Sequence, residues 1–150
     1  KRCGKSGVLL PKISLGFWLQ SLPDVAKANG EMEALQKQKE NDLKSMQDEF
    51  QRKADEYQKG SSTMNATAKQ QKETELQTLQ QKIQQAYQDG QQELQKKSSE
   101  LMQPIVAKVR TAIEAVGKAG NYTFIFEDGA AVYTGTNVVD VTKEVQAKIK

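Results

Sequence analysis

Residues 76–116 read LQTLQQKIQQAYQDGQQELQKKSSELMQPIVAKVRTAIEAV. The positions Leu76, Leu79, Ile83, Tyr87, Gly90, Leu94, Ser98, Leu101, Ile105, Val109, Ala112 and Val116 follow steps of three, four and four without a slip, and only Gly90 and Ser98 are not apolar. The same eleven-residue beat runs upstream through Met32, Leu35, Lys39, Leu43, Met46, Phe50, Ala54 and Tyr57, where Lys39 is the exception. Eleven residues over three turns is about 3.67 per turn, so the apolar stripe runs nearly straight instead of winding left-handed like a heptad seam. Ser21-Leu22-Pro23-Asp24 supplies helix-start chemistry, Gly60-Ser61-Ser62-Thr63 interrupts the pattern, and Gly120-Asn121 offers a left-handed stop. The spacing predicts helices over about 22–59 and 63–119 that fold back on each other as an antiparallel arm. At 1.5 Å per residue they would span about 55 and 85 Å, against about 30 Å for a compact domain of this length, so the arm is expected to project from a body.

The two ends of the chain carry β signals. Ile13-Ser14-Leu15-Gly16-Phe17 alternates apolar with small residues, as a short strand does. Tyr122-Thr123-Phe124-Ile125-Phe126 sets aromatics at every second position, and Glu127-Asp128-Gly129 is a hairpin-turn signal before a return strand at Ala130-Ala131-Val132-Tyr133. Gly135, Thr136 and Asn137 break that strand, and a final helix opens at Asp140-Val141-Thr142. The expected fold is mainly α with a small β unit: a long antiparallel α-hairpin arm on a small β body. Its divisions are 1–21 (leader and short strand), 22–119 (arm, with its tip at 58–72) and 120–150 (β-hairpin plus helix). Three strands at most cannot bury these aromatics within one chain. Ile13, Leu15, Phe17, Tyr122, Phe124, Phe126, Val132 and Tyr133 are therefore expected at an oligomer interface.

Composition narrows the function. Hydrophobic residues make up 37% and charged residues 27% of 150, and 18 of the 19 glutamines fall between Gln20 and Gln103. This favours long polar helices whose partner is another protein over a self-contained core. Lys and Arg number 22 against 19 Asp and Glu, a net charge of +3, too small and too evenly spread for a nucleic-acid binder. With no histidine and one cysteine, an internal disulfide framework, a histidine-assisted nucleophile and an ordinary zinc site are all excluded. No enzyme and no cofactor is expected. No run reaches the roughly 18 apolar residues of a membrane helix. Val8-Leu9-Leu10 before Pro11 is too short for a signal peptide, so an export signal, if there was one, is expected to have been removed.

Smaller motifs carry little. Gly4-Lys5-Ser6 lacks the earlier glycine and preceding strand of a phosphate loop. Asn65-Ala66-Thr67 and Asn121-Tyr122-Thr123 match a glycosylation sequon, but the plain reading is a turn and a strand start. Glu127 and Asp128 are expected to shape a turn, and Cys3 to be an idle terminal thiol. The arm lysines alternate with acids; they form either a solvated face with i,i+4 pairs or a basic lining that attracts acidic clients or lipid headgroups. Met46, Phe50, Tyr57 and Met64 are seam residues or, near the tip, adaptable contacts. Together with Lys69 and Lys72 they are the candidate client-binding set. Gly90 and Pro104 interrupt regular helix and are the candidate hinge.

The stretch Ala119-Gly120-Asn121-Tyr122-Thr123-Phe124-Ile125-Phe126-Glu127-Asp128-Gly129-Ala130-Ala131-Val132-Tyr133 resembles the signature of the Skp/OmpH family of periplasmic chaperones, and Asp140-Val141-Thr142 resembles that family's entry to its last helix. Leu101-Met102-Gln103-Pro104-Ile105 is similar to the arm of Bacteroidetes-type members. At the N-terminus, Lys12 to Trp18 departs from the pattern: it lacks the Asn or Asp that precedes the first helix in the family. The resemblance implies a periplasmic homotrimer whose arms enclose a cavity and hold unfolded outer-membrane proteins without ATP. From the arm charges, contact with an anionic membrane surface is a further expectation, and no specific nucleic acid is expected. A coiled-coil adaptor or stalk that docks a folded partner through its tips is the alternative. It would need a hot spot at the tip, and the residues there supply little of one.

Overall fold

The computed structural model describes residues 10–149; for Leu10 and Phe17 only the backbone is described. The leader readings at Cys3, Gly4-Lys5-Ser6 and Val8 lie outside the described residues. The elements run β1 (Leu10–Ile13), α1 (Gly16–Gln20), α2 (Pro23–Gly60), α3 (Ala66–Ala119), β2 (Phe126–Glu127), β3 (Val138–Asp140) and α4 (Thr142–Lys148). The chain is mainly helical, with a long helical hairpin and a small three-stranded sheet. It divides into two compact units: Asn29–Ser99, and the residues up to Ala28 together with those from Glu100 onward.

The helix expectations hold with shifted caps. Pro23 starts α2, where its missing N–H goes unused, and the Leu22 carbonyl accepts from Val25 and Ala26. Ser21 does not cap this helix, because its hydroxyl donates back to the Trp18 carbonyl and closes α1. Helix α3 is capped by Asn65, whose Oδ1 accepts the Ala68 N–H at 2.8 Å, and not by Thr63, whose hydroxyl donates to Gly60. At the other end Asn121 takes φ +51°, the Tyr122 N–H reaches the Gly117 carbonyl and the Asn121 N–H reaches Lys118. This is a Schellman ending, in which the left-handed residue satisfies carbonyls that the last turn leaves free. Pro104 lies inside α3 without ending it.

The sheet corrects the sequence reading. Its order is β2-β1-β3 and both pairings are parallel, with Lys12 opposite Phe126 and Pro11 opposite Val139. The expected hairpin is absent. Glu127 does open a turn, closed by the Ala130 N–H and helped by Gly129 at φ +93°, but Ala130–Tyr133 forms no strand. The third strand is Val138–Asp140 instead. At the N-terminus the strand covers Leu10–Ile13, and the alternating stretch after it turns into α1. Pro11 is tolerated in a central strand for a geometric reason. Residues 11 and 13 face β2 while Lys12 faces β3, as the bonds from Asp128 to Ile13 and from Val141 to Lys12 show. Because β2 pairs only from Lys12 onward, the missing N–H of Pro11 has no ladder partner to fail.

Within the sheet-bearing unit, Ile13, Trp18, Val109, Ala112, Val116, Val141 and Val145 form the core, and Leu15, Tyr122 and Ile125 pack on it. Val25, Ala28 and Ile105 form a second cluster. The three-residue run Asp140-Val141-Thr142 joins the first of these clusters to the segment after β1. Val141 is 1% exposed. The Asp140 Oδ1 accepts both the Thr142 N–H (2.9 Å) and the Thr142 hydroxyl (2.5 Å), and the Thr142 Oγ1 in turn accepts the Ser14 N–H (3.0 Å). These bonds hold the Asp140 carboxyl below its usual range, with the Thr142 hydroxyl the largest cause and its N–H the next.

Candidate functional site

Two surfaces concentrate the residues singled out by sequence. The first is on the sheet-bearing unit. Phe124 is 61%, Phe126 45%, Val132 108% and Tyr133 84% exposed, so four large apolar side chains lie uncovered within one short stretch. The Phe124 and Phe126 rings pack on each other at 5.9 Å between centroids. Phe126, Tyr133, Pro11 and Val138 line a pocket of about 390 Å³ with Ala130 and Ala131, and Lys12, bridged to Asp128 at 3.2 Å, lies on its rim. The irregular segment 130–135 walls this pocket; its first four residues, Ala130–Tyr133, are the stretch expected as a return strand.

The remaining residues expected at an interface are placed differently. Ile13 is 2% exposed inside its own chain's core, and Leu15 and Tyr122 are half-buried against that core. The side chain of Phe17 lies outside those described. Tyr122 presses its ring on Gly120, where an added Cβ would stand 2.2 Å from a ring carbon.

The second surface is the hairpin of residues 29–99. Met46, Phe50 and Tyr57 are half-buried along its seam, and the Met64 methyl covers Gly60 at the turn. Lys69 and Lys72 are half-buried after the turn, with Lys72 3.4 Å from Glu75. The seam differs from the sequence stripe at two places: Tyr87 and Ser98 are exposed, and their neighbours Ala86 and Lys97 are half-buried instead. Among large apolar side chains of this unit only Leu79 counts as buried, at 9% exposure.

Between the two helices, ion pairs supplement that thin seam. Lys97 meets Glu31 at 3.1 Å, Lys39 meets Glu93 at 2.5 Å, Lys53 meets Glu75, and the Tyr57 hydroxyl donates to Glu73. The hydrogen bond to Glu93 holds the Lys39 ammonium above its usual value, and that to Glu75 does the same for Lys53. Glu75 is held low by Lys53, and Tyr57 high by its bond to Glu73. These lysine stems were legible only as charge. Their half-burial follows from the 3.67 period, which brings Lys53 and Lys97 beside the stripe. Shallow grooves flank the seam, one lined by Leu43, Ile83 and Tyr87 with Gln47, Gln84 and Gln88.

Among the described residues no group of three or more His, Cys, Asp or Glu side chains is placed to hold a metal, and no helix is long and apolar enough to cross a membrane. The two surfaces are thus a helical hairpin with shallow grooves and, joined to it in sequence, a small sheet with uncovered aromatics. The family described as "Outer membrane protein (OmpH-like)" matches residues 13–149, and the chain belongs to it: the OmpH/Skp family of outer membrane chaperones, a non-enzymatic family. The fold matches the crystal structure of an OmpH-like protein from Caulobacter crescentus CB15, a candidate outer membrane chaperone. That match has a TM-score of 0.82 at 16% identity and covers 99% of this chain and 88% of that one. No curated protein matches the chain.

Proposed function

We propose that this protein is an ATP-independent holdase of the periplasm that binds unfolded outer-membrane proteins in a cavity between the arms of a homotrimer. The observation that carries this reading is the family match over residues 13–149, joined to the uncovered aromatics of the sheet-bearing unit. Phe124, Phe126, Val132 and Tyr133 supply the trimer contacts, alongside the outer edges of β2 and β3, which pair with no other strand among the described residues. Contiguous exposed apolar side chains of this kind mark protein interfaces.

The hairpins hold clients through many weak contacts, which keep a client soluble and still mobile. Met46, Phe50, Tyr57 and Met64 supply apolar contact, and Lys69 and Lys72 attract acidic segments. Residues 57–72 contain no acid, so the same stretch faces anionic lipid headgroups favourably, at roughly 1 kcal/mol per lysine close to the surface. Gly90 and Pro104 soften α3, letting the cavity adapt to clients of different size.

The test is dilution of a urea-unfolded outer-membrane barrel protein into the purified chain without nucleotide, with light scattering followed over time. Suppression of aggregation at a roughly threefold molar excess of protomer is expected. Unsuppressed aggregation overturns the holdase reading. The native mass should be about three times 16.7 kDa.

A further inference from the structure

The apolar stripes of α2 and α3 each have a flaw near mid-hairpin. In α2 the stripe is interrupted by Lys39, and in α3 the stripe residue without a side chain is Gly90. In the folded hairpin the two flaws coincide. Gly90 is buried, and the Cβ, Cγ and Cδ of Lys39 lie 3.8–3.9 Å from where a Gly90 Cβ would stand. The ammonium of Lys39 then reaches past the glycine to Glu93 at 2.5 Å, one turn further along α3. Asp42 and Asp89 add to the negative field around it.

A register problem explains why such a pair is useful. Both stripes repeat every eleven residues, so a hairpin slipped by that amount would meet nearly the same apolar surface again. Such a slip moves the turn by only about half as many residues. The stretch around the turn, 58–72, is polar except for Met64, Ala66 and Ala68, with nothing in it to fix the turn's place by apolar packing beyond the Met64–Gly60 contact. The apolar seam therefore discriminates poorly between registers. The flaws break that degeneracy. In one slipped register Lys39 faces Leu79 and Gly90 faces Ala28; in the other Lys39 faces Leu101 and Gly90 faces Phe50. In both, the ammonium loses Glu93 and its stem meets a leucine in place of a socket. A single polar residue in an otherwise apolar helical seam is an established way to specify register at some cost in stability.

We propose that Lys39, Gly90 and Glu93 form the register key of the hairpin, a stem-in-socket contact that selects the native pairing against slippage by one eleven-residue repeat. The key acts on the hairpin itself and does not depend on what the protein binds.

The experiment places spin labels on the exposed Gln38 and Gln81 of the full chain, diluted in a large excess of unlabelled chain, and records the distance distribution by pulsed EPR. The native protein should give one narrow distance. Lys39→Leu makes the stripe uniform and should add a second population displaced along the arm by roughly 16 Å, eleven residues of helical rise. Gly90→Leu, which fills the socket, should do the same, and serves if Lys39→Leu does not fold. A single narrow distance at the native value in the folded variant overturns the proposal, as does a native protein that already shows two.

Discussion

Replacing Thr142 by valine keeps the side-chain shape and removes one oxygen, and the structure assigns that oxygen two partners. The hydroxyl donates to Asp140 at 2.5 Å, and its lone pair accepts the Ser14 N–H at 3.0 Å. Loss of a hydrogen bond to a charged acceptor costs about 1.5–3 kcal/mol, and a partly buried N–H left without an acceptor costs about 1–3 kcal/mol more if it stays dry. The half-burial of Thr142 lets water reach part of the site, and the added methyl recovers up to about 0.8 kcal/mol. A net loss of about 2 kcal/mol is expected. Urea unfolding at fixed protein concentration, followed by the fluorescence of Trp18, measures it. That side chain is 8% exposed in the same core, and its Nε1–H donates to the Ser14 carbonyl. Thr78→Val is the control, because its hydroxyl serves only the Thr74 carbonyl on an exposed helix face and should change stability by less than about 0.5 kcal/mol. If Thr142→Val behaved like the control, the relay from Asp140 through Thr142 to Ser14 would not hold the two chain ends together. The pH dependence gives a second reading. The folded carboxyl of Asp140 titrates below its ordinary value of 3.8, so its contribution is present above that pH and is lost as pH falls through the folded value. Asp140→Asn should be the less stable protein at neutral pH, with the gap to the native chain closing below about pH 4.

Other substitutions test separate features. Gly120→Ala sets a methyl 2.2 Å from the Tyr122 ring and should cost on the order of 1–3 kcal/mol, read by thermal melting, whereas Asn121→Gly relieves the left-handed backbone and should be neutral or stabilising. Glu75 is held low by Lys53, so its contribution is present above 4.5 and fades as pH falls; the protection of amides around residues 53 and 75, measured against their intrinsic exchange rates at each pH, should fall on acidification, and Glu75→Gln should remove that dependence. Hydrogen exchange should also be slower in the core helix segment Ile105–Val116 than in residues 29–60, where among the described side chains none is fully buried. Phe124→Ser with Phe126→Ser should drop the native mass toward that of one chain, measured by light scattering.

What sequence reasoning resolved and what it did not follow from the range of the interactions. The helices were legible because the beat through Met32–Tyr57 and Leu76–Val116 is local, and a helix face repeats within a few residues. Cap positions moved by a few residues because Ser21, Thr63 and Asn65 carry interchangeable capping chemistry, and only the fold decides which one faces a free N–H. The sheet was misread because its pairings are not local. Tyr122, Phe124 and Phe126 alternate like a strand, but β1 offers partners only to Phe126 and Glu127, so the rest of the stretch stays irregular. A turn signal at Asp128-Gly129 normally implies a hairpin. Here β2 pairs in parallel with β1, more than a hundred residues earlier in the chain, and Ala130–Tyr133 does not return along its other edge. Exposure of Phe124 and Phe126 followed from the same arithmetic, since so few strands leave a face uncovered.

The parallel sheet also explains why the chain needs no turn chemistry to join its ends. A parallel pair requires a long crossover, and between β1 and β2 that crossover is the entire helical hairpin. Every residue of the core cluster comes from residues 13–18 or from 109 onward, so the apolar material of the chain is assembled from its two ends, and the glutamine-rich middle contributes none to that cluster. Polarity in the middle therefore costs the core nothing. The hairpin can stay thinly packed, held by Lys39, Lys53 and Lys97 as much as by leucines, because the stability of the sheet-bearing unit is set elsewhere. A thin seam in turn leaves shallow grooves and soluble helices, which weak and multivalent binding requires, and a dense leucine seam would close them. The same thinness makes register costly to specify by apolar contact, which is why a lysine seated over a glycine is placed where a better-packing pair would otherwise be expected.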